Sequence, residues 1–592
     1  MFKALPRTFV IFKMYRGRLI ISQILLLISA ISRIGVATLT QRLINQGIVA
    51  GDSTVIVNMS VWMAVLALVG GLAMAGTAGL AVFFAQGVAF GLRKYLYQRI
   101  QGFSFANFDR FRTGNLMVRL NADVNNVANA ILYSVMLILF APFMILVAFA
   151  LTYIFSPSLL WVLVLVTVVV IAFMAFLLPR IVRAYDERQA RLDRLNNSLQ
   201  ENLAGVRVVK AFVREKLEIT RFRKRADDMR KPAFMAAFLT AAMNPALTAV
   251  TQFAIAIAIW SGGEQVLKQT GMQVGDLVAF MQYLSLIVMP LAMMAIVFPF
   301  LMRGETSAQR IFEVMDAEPV VVDKPEAKPV EPEEIKGRVV FENVSFAFQR
   351  PDGEFDPPAL KNINLTIEPG ERVGFLGATG SGKTALVNLI PRFYDVTEGR
   401  ITIDGVDVRD FPQDNLREMA GIALQEALLF QGDIRFNLKF GAPEVDDPIM
   451  WNAAKAADAY GFIENLPQKW DAPVARRGNN FSGGQRQRLA ISRTLTTLPR
   501  ILILDDSTSA LDVATEARVQ EAIPGFVSNA TTLYVAQRIS AVIDLEKIVL
   551  MANGEIVAQG THEELMASSP LYQEIYESQL GGGIAADLEV SA

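Results

Sequence analysis

Long runs without charged residues dominate the first half of the chain. They extend over residues 54–92, 124–179, 232–263 and 277–302, and each exceeds the roughly 20 apolar residues that cross a bilayer. The second run is long enough for two crossings and is broken by the sequence FSPS at 155–158, which predicts a helical hairpin with a tight turn. With residues 19–48 added, the pattern predicts six membrane-spanning helices.

Lys and Arg residues are unequally distributed between the two ends of these predicted spans. Residues 93–123 and 180–231 contain many of them, whereas the three loops on the opposite side contain only Lys268. The positive-inside rule therefore places both termini in the cytoplasm. The first 20 residues are amphipathic and carry five Lys or Arg, which predicts an interfacial helix leading into the membrane rather than a cleaved signal peptide.

Apolar residues continue at helical spacing through 93–123 and 180–231. We therefore expect the spans to extend as long helices into the cytosol, mostly with solvated charged faces. The predicted membrane domain covers residues 1–316. Its spans are expected near 19–48, 56–92, 126–155, 157–180, 236–263 and 275–302.

The pattern changes after the sixth span. Residues 317–337 contain four prolines among many Glu and Lys, a composition typical of a linker. From residue 338 onward, short β-rich runs alternate with amphipathic helices, which predicts an α/β domain over 338–580 and a flexible tail at 581–592. The predicted fold class is thus an α-helical membrane domain of six spans with long cytosolic extensions, fused to an α/β domain.

Composition supports a membrane protein and excludes several other classes. The chain is 53% hydrophobic with a mean hydropathy of +0.36, which is too apolar for an ordinary soluble protein. Its net charge of -1 gives no basic surface for nucleic acid, so we expect no nucleic-acid partner. With no cysteine in the chain, disulfides, thiolate metal sites and cysteine nucleophiles are excluded.

The second half contains a phosphate-binding motif. Residues 377–384 read GATGSGKT, which matches the P-loop pattern G-x-x-x-x-G-K-[ST] between a predicted strand at 373–376 and a predicted helix at 385–390. Backbone N–H groups of such a loop hold phosphates, the lysine reaches the outer phosphates and the hydroxyl holds Mg²⁺. The expected contact residues are Gly377, Thr379, Gly380, Ser381, Gly382, Lys383 and Thr384.

Three further segments follow the P-loop in order. Residues 481–487 read FSGGQRQ, ahead of a predicted helix at 488–494; residues 505–506 end an apolar strand as Asp-Asp; and residues 509–512 read SALD. In this order the motifs resemble those of ATP-binding cassette (ABC) transporters, and nearly the whole chain resembles the half-size type IV exporters of that family.

The resemblance implies ATP and Mg²⁺ as cofactors and assigns further residues. Contacts with ATP are implied for Phe348, Ser482, Gly483, Gly484, Gln485 and Asp512, and Mg²⁺ ligation for Thr384, Gln425 and Asp505. Phe348 stands where the family usually has a tyrosine that stacks on adenine. Residues 108–123 and 205–212 resemble the coupling helices that connect the membrane domain to the nucleotide domain, within cytosolic coupling regions at 93–123 and 180–231.

Two positions depart from the family pattern. The family has a glutamate that positions the attacking water where this chain has Asp506, and a switch histidine where this chain has Gln537. Both are assigned catalytic positions, together with Gln425. The single histidine, His562, follows the next predicted strand and is expected to cap a helix instead. These departures predict slow hydrolysis at this chain's own site.

In the family, each ATP site combines the P-loop of one nucleotide domain with the signature of the other. We therefore predict a heterodimer whose second half-transporter subunit carries Glu and His at the two altered positions. The intact signature of this chain would complete that partner's site, while its own P-loop, Asp506 and Gln537 would form a degenerate site. A slow homodimeric exporter and a nucleotide-gated regulatory subunit that moves no cargo are alternatives.

The expected activity is ATP-driven export by alternating access, with the protein in the plasma (inner) membrane and its nucleotide domain in the cytoplasm. Amphipathic small molecules such as drugs are the first substrate expectation, with lipid or peptide as alternatives. The sixth span carries the adaptable side chains of Met281, Met289, Met293, Met294 and Met302. Arg33 falls near the middle of the first span, where it either faces a substrate cavity or forms a structural pair.

Overall fold

The structure is a computed structural model that describes residues 3–11, 16–137, 140–269, 271–350 and 353–581. The chain forms two structural units. The first comprises Met1–Gln101 and Gly114–Ala317, and the second comprises Gly102–Thr113 and Glu318–Ala592. The predicted tail after Gly581, Lys13 of the predicted interfacial helix and the side chain of Met294 lie outside the described residues.

The chain is mainly helical over the described residues up to 315. Its helices are α1 (Leu5–Ile11), α2 (Arg16–Arg42), α3 (Ser53–Gln101), α4 (Phe105–Phe111), α5 (Thr113–Val118), α6 (Val124–Leu137), α7 (Phe140–Phe155), α8 (Leu160–Ala204), α9 (Val206–Ala211), α10 (Glu215–Leu267) and α11 (Val274–Met315). Helix α2 continues as a π-helix over Leu43–Ile48, a second π-helical turn at Arg119–Asp123 joins α5 to α6, and a 3₁₀ turn at Pro157–Leu159 joins α7 to α8. All of these except α4 belong to the first unit apart from single boundary residues.

Six helical segments of the described chain are long and apolar enough to cross a membrane. They are Arg16–Ile48, Ser53–Gln101, Thr113–Phe155, Pro157–Ala204, Glu215–Leu267 and Val274–Met315. The predicted number of spans is therefore confirmed. All six exceed the 20 residues that a bilayer requires.

Polar contacts fix both ends of α11 within the first unit. Near its start, the buried Asp276 carboxylate accepts hydrogen bonds from the side chains of Gln41 (2.7 Å) and Asn45 (3.0 Å). Near its other end, the Glu305 carboxylate accepts from the backbone N–H groups of residues 3–5 at 2.8–2.9 Å. Glu305 thereby satisfies donors at the start of α1, which have no partner inside that helix.

The described residues of the second unit form three sheets. Its strands are β1 (Val339–Phe346), β2 (Leu360–Ile367), β3 (Arg372–Leu376), β4 (Glu398–Ile403), β5 (Val406–Asp407), β6 (Ala420–Ala423), β7 (Gly432–Asp433), β8 (Pro473–Val474), β9 (Ile501–Asp505), β10 (Thr531–Ala536), β11 (Lys547–Ala552) and β12 (Glu555–Gly560). Their orders are β2-β1-β4-β5, β12-β11-β3-β10-β9-β6 and β7-β8.

Helices flank these sheets. They are α12 (Lys383–Asn388), α13 (Gln413–Met419), α14 (Ile434–Leu438), α15 (Asp447–Ala456), α16 (Tyr460–Glu464), α17 (Gly483–Leu495), α18 (Val513–Phe526), α19 (His562–Ser568) and α20 (Pro570–Tyr576), and a π-helical turn over Glu577–Gly581 follows α20. The predicted fold class, six apolar helices fused to an α/β domain, is confirmed.

The register of the six-stranded sheet places several strand ends together. Strands β11, β3, β10, β9 and β6 run parallel, and β12 pairs antiparallel at the edge. Residue Ala536 of β10 lies beside Leu376 of β3, and Val535 lies beside Asp505 of β9. All residues of β9 and β10 are buried, as expected of parallel strands covered on both faces. Segments that leave the carboxyl ends of these strands therefore meet at one edge.

Candidate functional site

Four segments with predicted site residues emerge at this edge of the sheet. The P-loop follows β3, Gln425 follows β6, Asp506 follows β9 and Gln537 follows β10. Ligands of open α/β sheets bind in the crevice outside the carboxyl ends of the strands. The strand order, rather than sequence proximity, thus brings these residues together.

The loop after β3 has the conformation that a phosphate cradle requires. Gly382 has a φ of 103° and caps α12, a backbone that is costly for any residue with a side chain. A Cβ there would also lie 2.8 Å from the carbonyl oxygen of Ala359. Helix α12 begins at Lys383, two residues earlier than the sequence predicts, because Gly382 supplies the cap.

The two functional side chains of this loop are held by hydrogen bonds. The Lys383 ammonium donates to the carbonyl oxygens of Gly377 (2.7 Å) and Ala378 (3.0 Å). The Thr384 hydroxyl donates to Oδ1 of Asp505 at 2.9 Å. Lys383 is thereby kept over the loop, and Thr384 is oriented toward the strand-end carboxylate.

Burial shapes the charges at the site. Burial lowers the pKa of the Lys383 ammonium, against the opposing effect of the Asp506 and Asp505 carboxylates. Burial also raises the pKa of Asp505, whereas its hydrogen bond from Thr384 acts in the opposite direction. One ammonium and two carboxylates therefore share a partly desolvated space, where a cation and an anionic phosphate gain more from pairing than they would in water.

A cavity of about 420 Å³ lies over the loop. Among the residues that line it are the predicted nucleotide contacts Phe348, Thr379, Gly380, Ser381, Gly382, Lys383 and Thr384, together with Gln425, Asp506 and Gln537. Gly377, also a predicted contact, is not among the described lining residues, and a Cβ there would lie 2.3 Å from the carbonyl oxygen of Met551. A side chain at this position would collide with backbone.

Two of the three predicted catalytic residues hydrogen-bond to the third. Gln425 and Gln537 both donate through Nε2 to Oδ2 of Asp506, at 3.1 and 3.2 Å. Asp506 has a φ of 48°, in a left-handed region that Asp tolerates better than most residues. Two amides and the backbone thus hold the Asp506 carboxylate in one place.

The signature segment forms a helix start. Ser482 caps α17 by accepting from the backbone N–H of Gln485 (3.2 Å), and the Gln485 side chain accepts from the N–H of Ser482 (2.9 Å). The helix therefore begins at Gly483, not at residue 488 as predicted, because this capping box satisfies two of its free N–H groups. The remaining N-terminal amides give the segment a positive end that suits a phosphate.

The structure does not bring the signature to the cavity of the same chain. Within the described residues, Ser482, Gly483, Gly484, Gln485 and Asp512 are all absent from the cavity lining. Asp512 instead caps α18 by accepting from the backbone N–H of Thr515 at 3.0 Å. Their contacts with ATP stay a prediction that requires a second nucleotide domain.

A series of hydrogen bonds links the signature helix to Asp506. Gln487 donates to the Ser509 hydroxyl (3.2 Å) and accepts from the backbone N–H of Ala510 (2.8 Å). The Ser509 hydroxyl donates in turn to the backbone carbonyl of Asp506 at 2.8 Å. The segment 509–512 therefore connects the signature helix α17 to Asp506 through hydrogen bonds.

Tyr394 is a cavity residue that sequence reasoning missed. Its ring lies edge-on to Phe348, with centroids 5.4 Å apart, and its hydroxyl donates to Asp109 of α4 at 2.8 Å. Burial and the neighbouring Asp109 raise the pKa of Tyr394, so the hydroxyl stays protonated as a donor. Phe105 of α4 also stacks on Phe393 with centroids 4.1 Å apart. The aromatic sequence RFY at 392–394, next to the P-loop helix, was the available signal.

Gln579 was also missed, because it lies far along the chain. Its Oε1 accepts from the backbone N–H of Ile539 (2.8 Å), and its Nε2 donates to the carbonyl oxygen of Gln537 (3.0 Å). One amide therefore clamps the turn that carries Gln537. Nothing in the sequence near either residue indicates this pairing.

The single histidine lies away from this site. Its Nδ1 is 2.8 Å from the Tyr572 hydroxyl, and Thr561 caps α19 by accepting from the N–H of Glu564. The prediction that His562 caps this helix is wrong, because the preceding threonine has the side chain that reaches back to the free N–H groups.

Comparisons with known proteins agree with this architecture. Residues 19–291 match the ABC transporter transmembrane region and residues 360–509 match the ABC transporter family. An uncharacterized ABC transporter ATP-binding protein of Bacillus subtilis, YfiB, is 37% identical over 85% of this chain and 86% of its own length. An ATP-dependent lipid A-core flippase of Syntrophus aciditrophicus is 36% identical over 84% of this chain and 81% of its own length.

A solved structure supports the fold. A bacterial Atm1-family ABC exporter with ATP bound superposes with a TM-score of 0.77 over 95% of this chain and 98% of its own, at 24% sequence identity. The chain belongs to the ABC transporter family. It is a half-size exporter that joins a transmembrane domain to an ATP-binding domain, and hence an ATP-hydrolysing translocase.

Replacement of Phe348 by Ala should weaken ATP binding. Stacking of a base on an aromatic ring contributes on the order of 1–3 kcal/mol, so we expect the Kd for ATP to rise about tenfold in equilibrium binding to the purified chain. Phe348→Tyr keeps the ring and is the matched control. Equal affinity in the Ala and Tyr variants would show that Phe348 does not stack on the base.

Removal of the Gln579 amide should loosen the Gln537 turn. The hydrogen bond from Gln579 to the carbonyl oxygen of Gln537 contributes about 1 kcal/mol, so Gln579→Ala should speed dissociation of radiolabelled ATP from the purified chain about fivefold. Gln573→Ala is the matched control, because Gln573 lies on α20 and, among the described residues, its side-chain amide donates only to the carbonyl oxygen of Met566. Similar ATP release from both variants contradicts a positioning role for Gln579.

Proposed function

We propose that this chain is the degenerate-site subunit of a heterodimeric ABC exporter that moves amphipathic small molecules by alternating access. The observation that carries the proposal is the pairing of Asp506 with Gln537 around an otherwise complete phosphate cavity. Both residues replace groups that act on the outermost phosphate and its attacking water. Either replacement alone is a small change. Because both residues act on the same phosphate, the two together indicate a site specialised for slow hydrolysis.

The geometry gives a physical reason for slow cleavage. Aspartate is shorter than glutamate by one carbon–carbon bond, about 1.5 Å, and misplacement near 1 Å costs about a hundredfold when reach to a reacting group sets the rate. Asp506 is also held by the amides of Gln425 and Gln537. A glutamine amide donates a hydrogen bond to a phosphate but neither carries a charge nor relays a proton.

The metal is assigned by the chemistry of its donors. Mg²⁺ prefers oxygen ligands and keeps several waters when it binds phosphates. The hydroxyl of Thr384 and the carboxylate of Asp505 are 2.9 Å apart, and Gln425 uses its nitrogen for Asp506, which leaves its carbonyl oxygen available. We assign these three residues to Mg²⁺ of bound ATP.

The proposed partner is a second half-transporter with Glu and His at the two altered positions. Its competent site would be completed by Ser482, which caps α17, and by the two glycines that begin this helix at its positive end. ATP at this chain's own site would act as a long-lived clamp that holds the nucleotide domains together. Hydrolysis at the other site would reset the transporter.

Orientation follows from charge. The segments rich in Lys and Arg lie at one end of the six spans, so both termini and the nucleotide domain are assigned to the cytoplasm and the spans to the plasma (inner) membrane. The assignment of lipid as cargo, alongside small amphipathic molecules, is supported by the flippase name of the relatives from Syntrophus aciditrophicus and Desulfotalea psychrophila.

The decisive experiment compares the chain alone with the chain and its co-purifying half-transporter in lipid vesicles. We expect ATP-dependent accumulation of an amphipathic dye only with the pair, and slow ATP hydrolysis by the chain alone. Fast, cooperative hydrolysis by the chain alone identifies a homodimeric exporter and overturns the heterodimer. Robust hydrolysis by the pair without movement of any dye or fluorescent lipid favours a regulatory subunit.

A further inference from the structure

A cavity opens beside Arg33 in the first unit. Its volume is about 550 Å³, and it lies between α2, α3 and Leu286 of α11. Most of its wall is apolar and small, with Gly70, Gly71 and Ala75 of α3 facing Arg33 of α2. We call it the Arg33 cavity.

The cavity lies deep in the membrane-spanning segment. Arg33 is 17 residues after the start and 15 before the end of the span Arg16–Ile48, or roughly 22–25 Å from either end at 1.5 Å per residue. The hydrocarbon core of a bilayer is only about 30 Å thick. The guanidinium therefore originates near its centre, far from both interfaces.

The described residues of this chain do not neutralise the charge of Arg33. Within the described residues, Arg33 forms neither a hydrogen bond nor an ion pair. The helices α3, α6 and α7, which pack against α2, contain no acidic residue. Helix α11 carries three carboxylates. Asp276 is engaged by Gln41 and Asn45, Glu305 by the start of α1, and Glu313 by Arg119.

The shape of the cavity follows from two adjacent glycines. A Cβ at Gly70 would lie 2.8 Å from Cβ of Ser32, so α2 and α3 approach closely at this point. A Cβ at Gly71 would have no atom within 4 Å. The helices thus touch on one side of the groove and leave open space on the other, next to the arginine.

We propose that the Arg33 cavity binds the anionic headgroup of an amphipathic molecule during its passage through the membrane. A planar guanidinium pairs with phosphate, sulfonate or carboxylate through two parallel hydrogen bonds, and the apolar wall accepts the attached chain. An unpaired charge at this depth is costly, and such residues commonly mark a substrate path. The inference rests on the proposed export function and names the charge class of its substrate.

Binding without nucleotide tests the charge preference. The full chain, with any co-purifying subunit, is placed in phosphatidylcholine nanodiscs, and binding of radiolabelled dodecyl phosphate and dodecylphosphocholine is compared. We expect the phosphate to bind at least about tenfold more tightly, Arg33→Gln to remove the difference and Arg33→Lys to keep part of it. Equal affinities in the wild-type protein, or an unchanged preference in Arg33→Gln, overturn the proposal.

Two leucine substitutions on α3 test the location. Gly71→Leu fills the cavity, whereas Gly79 also has no atom within 4 Å of its Cβ position but is not among the lining residues. We expect Gly71→Leu to weaken dodecyl phosphate binding about tenfold and Gly79→Leu to leave it unchanged. Thermal melting and ATP binding confirm that both variants fold. If both variants bind like the wild-type protein, the ligand lies elsewhere and the proposal fails.

A competition experiment tests whether the anionic ligand is a membrane lipid or a single-chain amphiphile. Displacement of dodecyl phosphate by phosphatidic acid in the nanodisc identifies a membrane lipid as the ligand; binding that persists identifies a single-chain amphiphile. Either result retains the anionic class. Because these measurements need no hydrolysis, failure here leaves the degenerate-site proposal standing, and fast hydrolysis by the chain alone leaves the anion site standing.

Discussion

Replacing Asp506 by Glu and Gln537 by His together should raise ATP hydrolysis by the purified chain about a hundredfold. The glutamate restores one carbon of reach toward the attacking water, and the histidine restores a group that can carry a proton. Each single variant should gain less, because both groups act on the same phosphate. Steady-state phosphate release from the chain in nanodiscs measures the effect.

The backbone conformation at position 506 predicts a small loss of stability in this double variant. Its φ of 48° suits Asp better than Glu, since Asp is enriched several-fold in the left-handed region. The double variant should therefore melt slightly below the wild-type protein while hydrolysing faster. Asp446→Glu, an equivalent change at the start of α15, should alter neither property. If the double variant hydrolyses no faster, the two replacements are not what limits this site.

Ser482→Arg should reduce ATP hydrolysis by the chain and its partner about a hundredfold, whereas Asp506→Ala should keep the rate within about twofold of the wild-type pair. Ser482 caps α17 at the end proposed to face the partner's phosphate, and an arginine there removes the cap and occupies that space. Asp506 belongs to the slow site, which contributes little turnover. ATP hydrolysis by the co-purified pair, measured at saturating ATP, compares the variants.

A second capping box separates loss of a helix cap from loss of the site. Thr561 and Glu564 cap α19 through the same reciprocal bonds that Ser482 and Gln485 use in α17. Thr561→Arg should therefore cost similar stability, about 1 kcal/mol, without the loss of hydrolysis. Comparable damage by Asp506→Ala and Ser482→Arg would falsify the assignment of the two sites.

Tyr394 lines the nucleotide cavity and also contacts α4. Phe348, Tyr394 and Asp109 form a continuous path from the predicted base-stacking ring to a segment that continues into the membrane-spanning helices. Burial raises the pKa of the tyrosine, so its hydrogen bond to Asp109 persists across the physiological pH range. Changes around the base thus have a short route to α4.

Much of the fold could be predicted because its determinants are local. The six spans follow from long, mostly apolar runs, and the P-loop follows from eight consecutive residues between a strand and a helix. Errors fell at boundaries that a single cap controls. Gly382 and Ser482 start α12 and α17 earlier than hydrophobic spacing indicates, because the cap residue fixes the first free N–H groups rather than the apolar face.

By itself, the sequence determined which chemical groups this protein has: a phosphate loop, an intact signature, an aspartate and a glutamine at two altered positions, and an arginine near the middle of the first span. Only the tertiary structure decided which of them meet. The order of parallel strands brings Gln425 and Gln537 onto Asp506, the return of the chain after α20 brings Gln579 onto the Gln537 turn, and two adjacent glycines of α3 open space beside Arg33. Such contacts join residues far apart in the chain, so they depend on how whole elements pack, which no local pattern records.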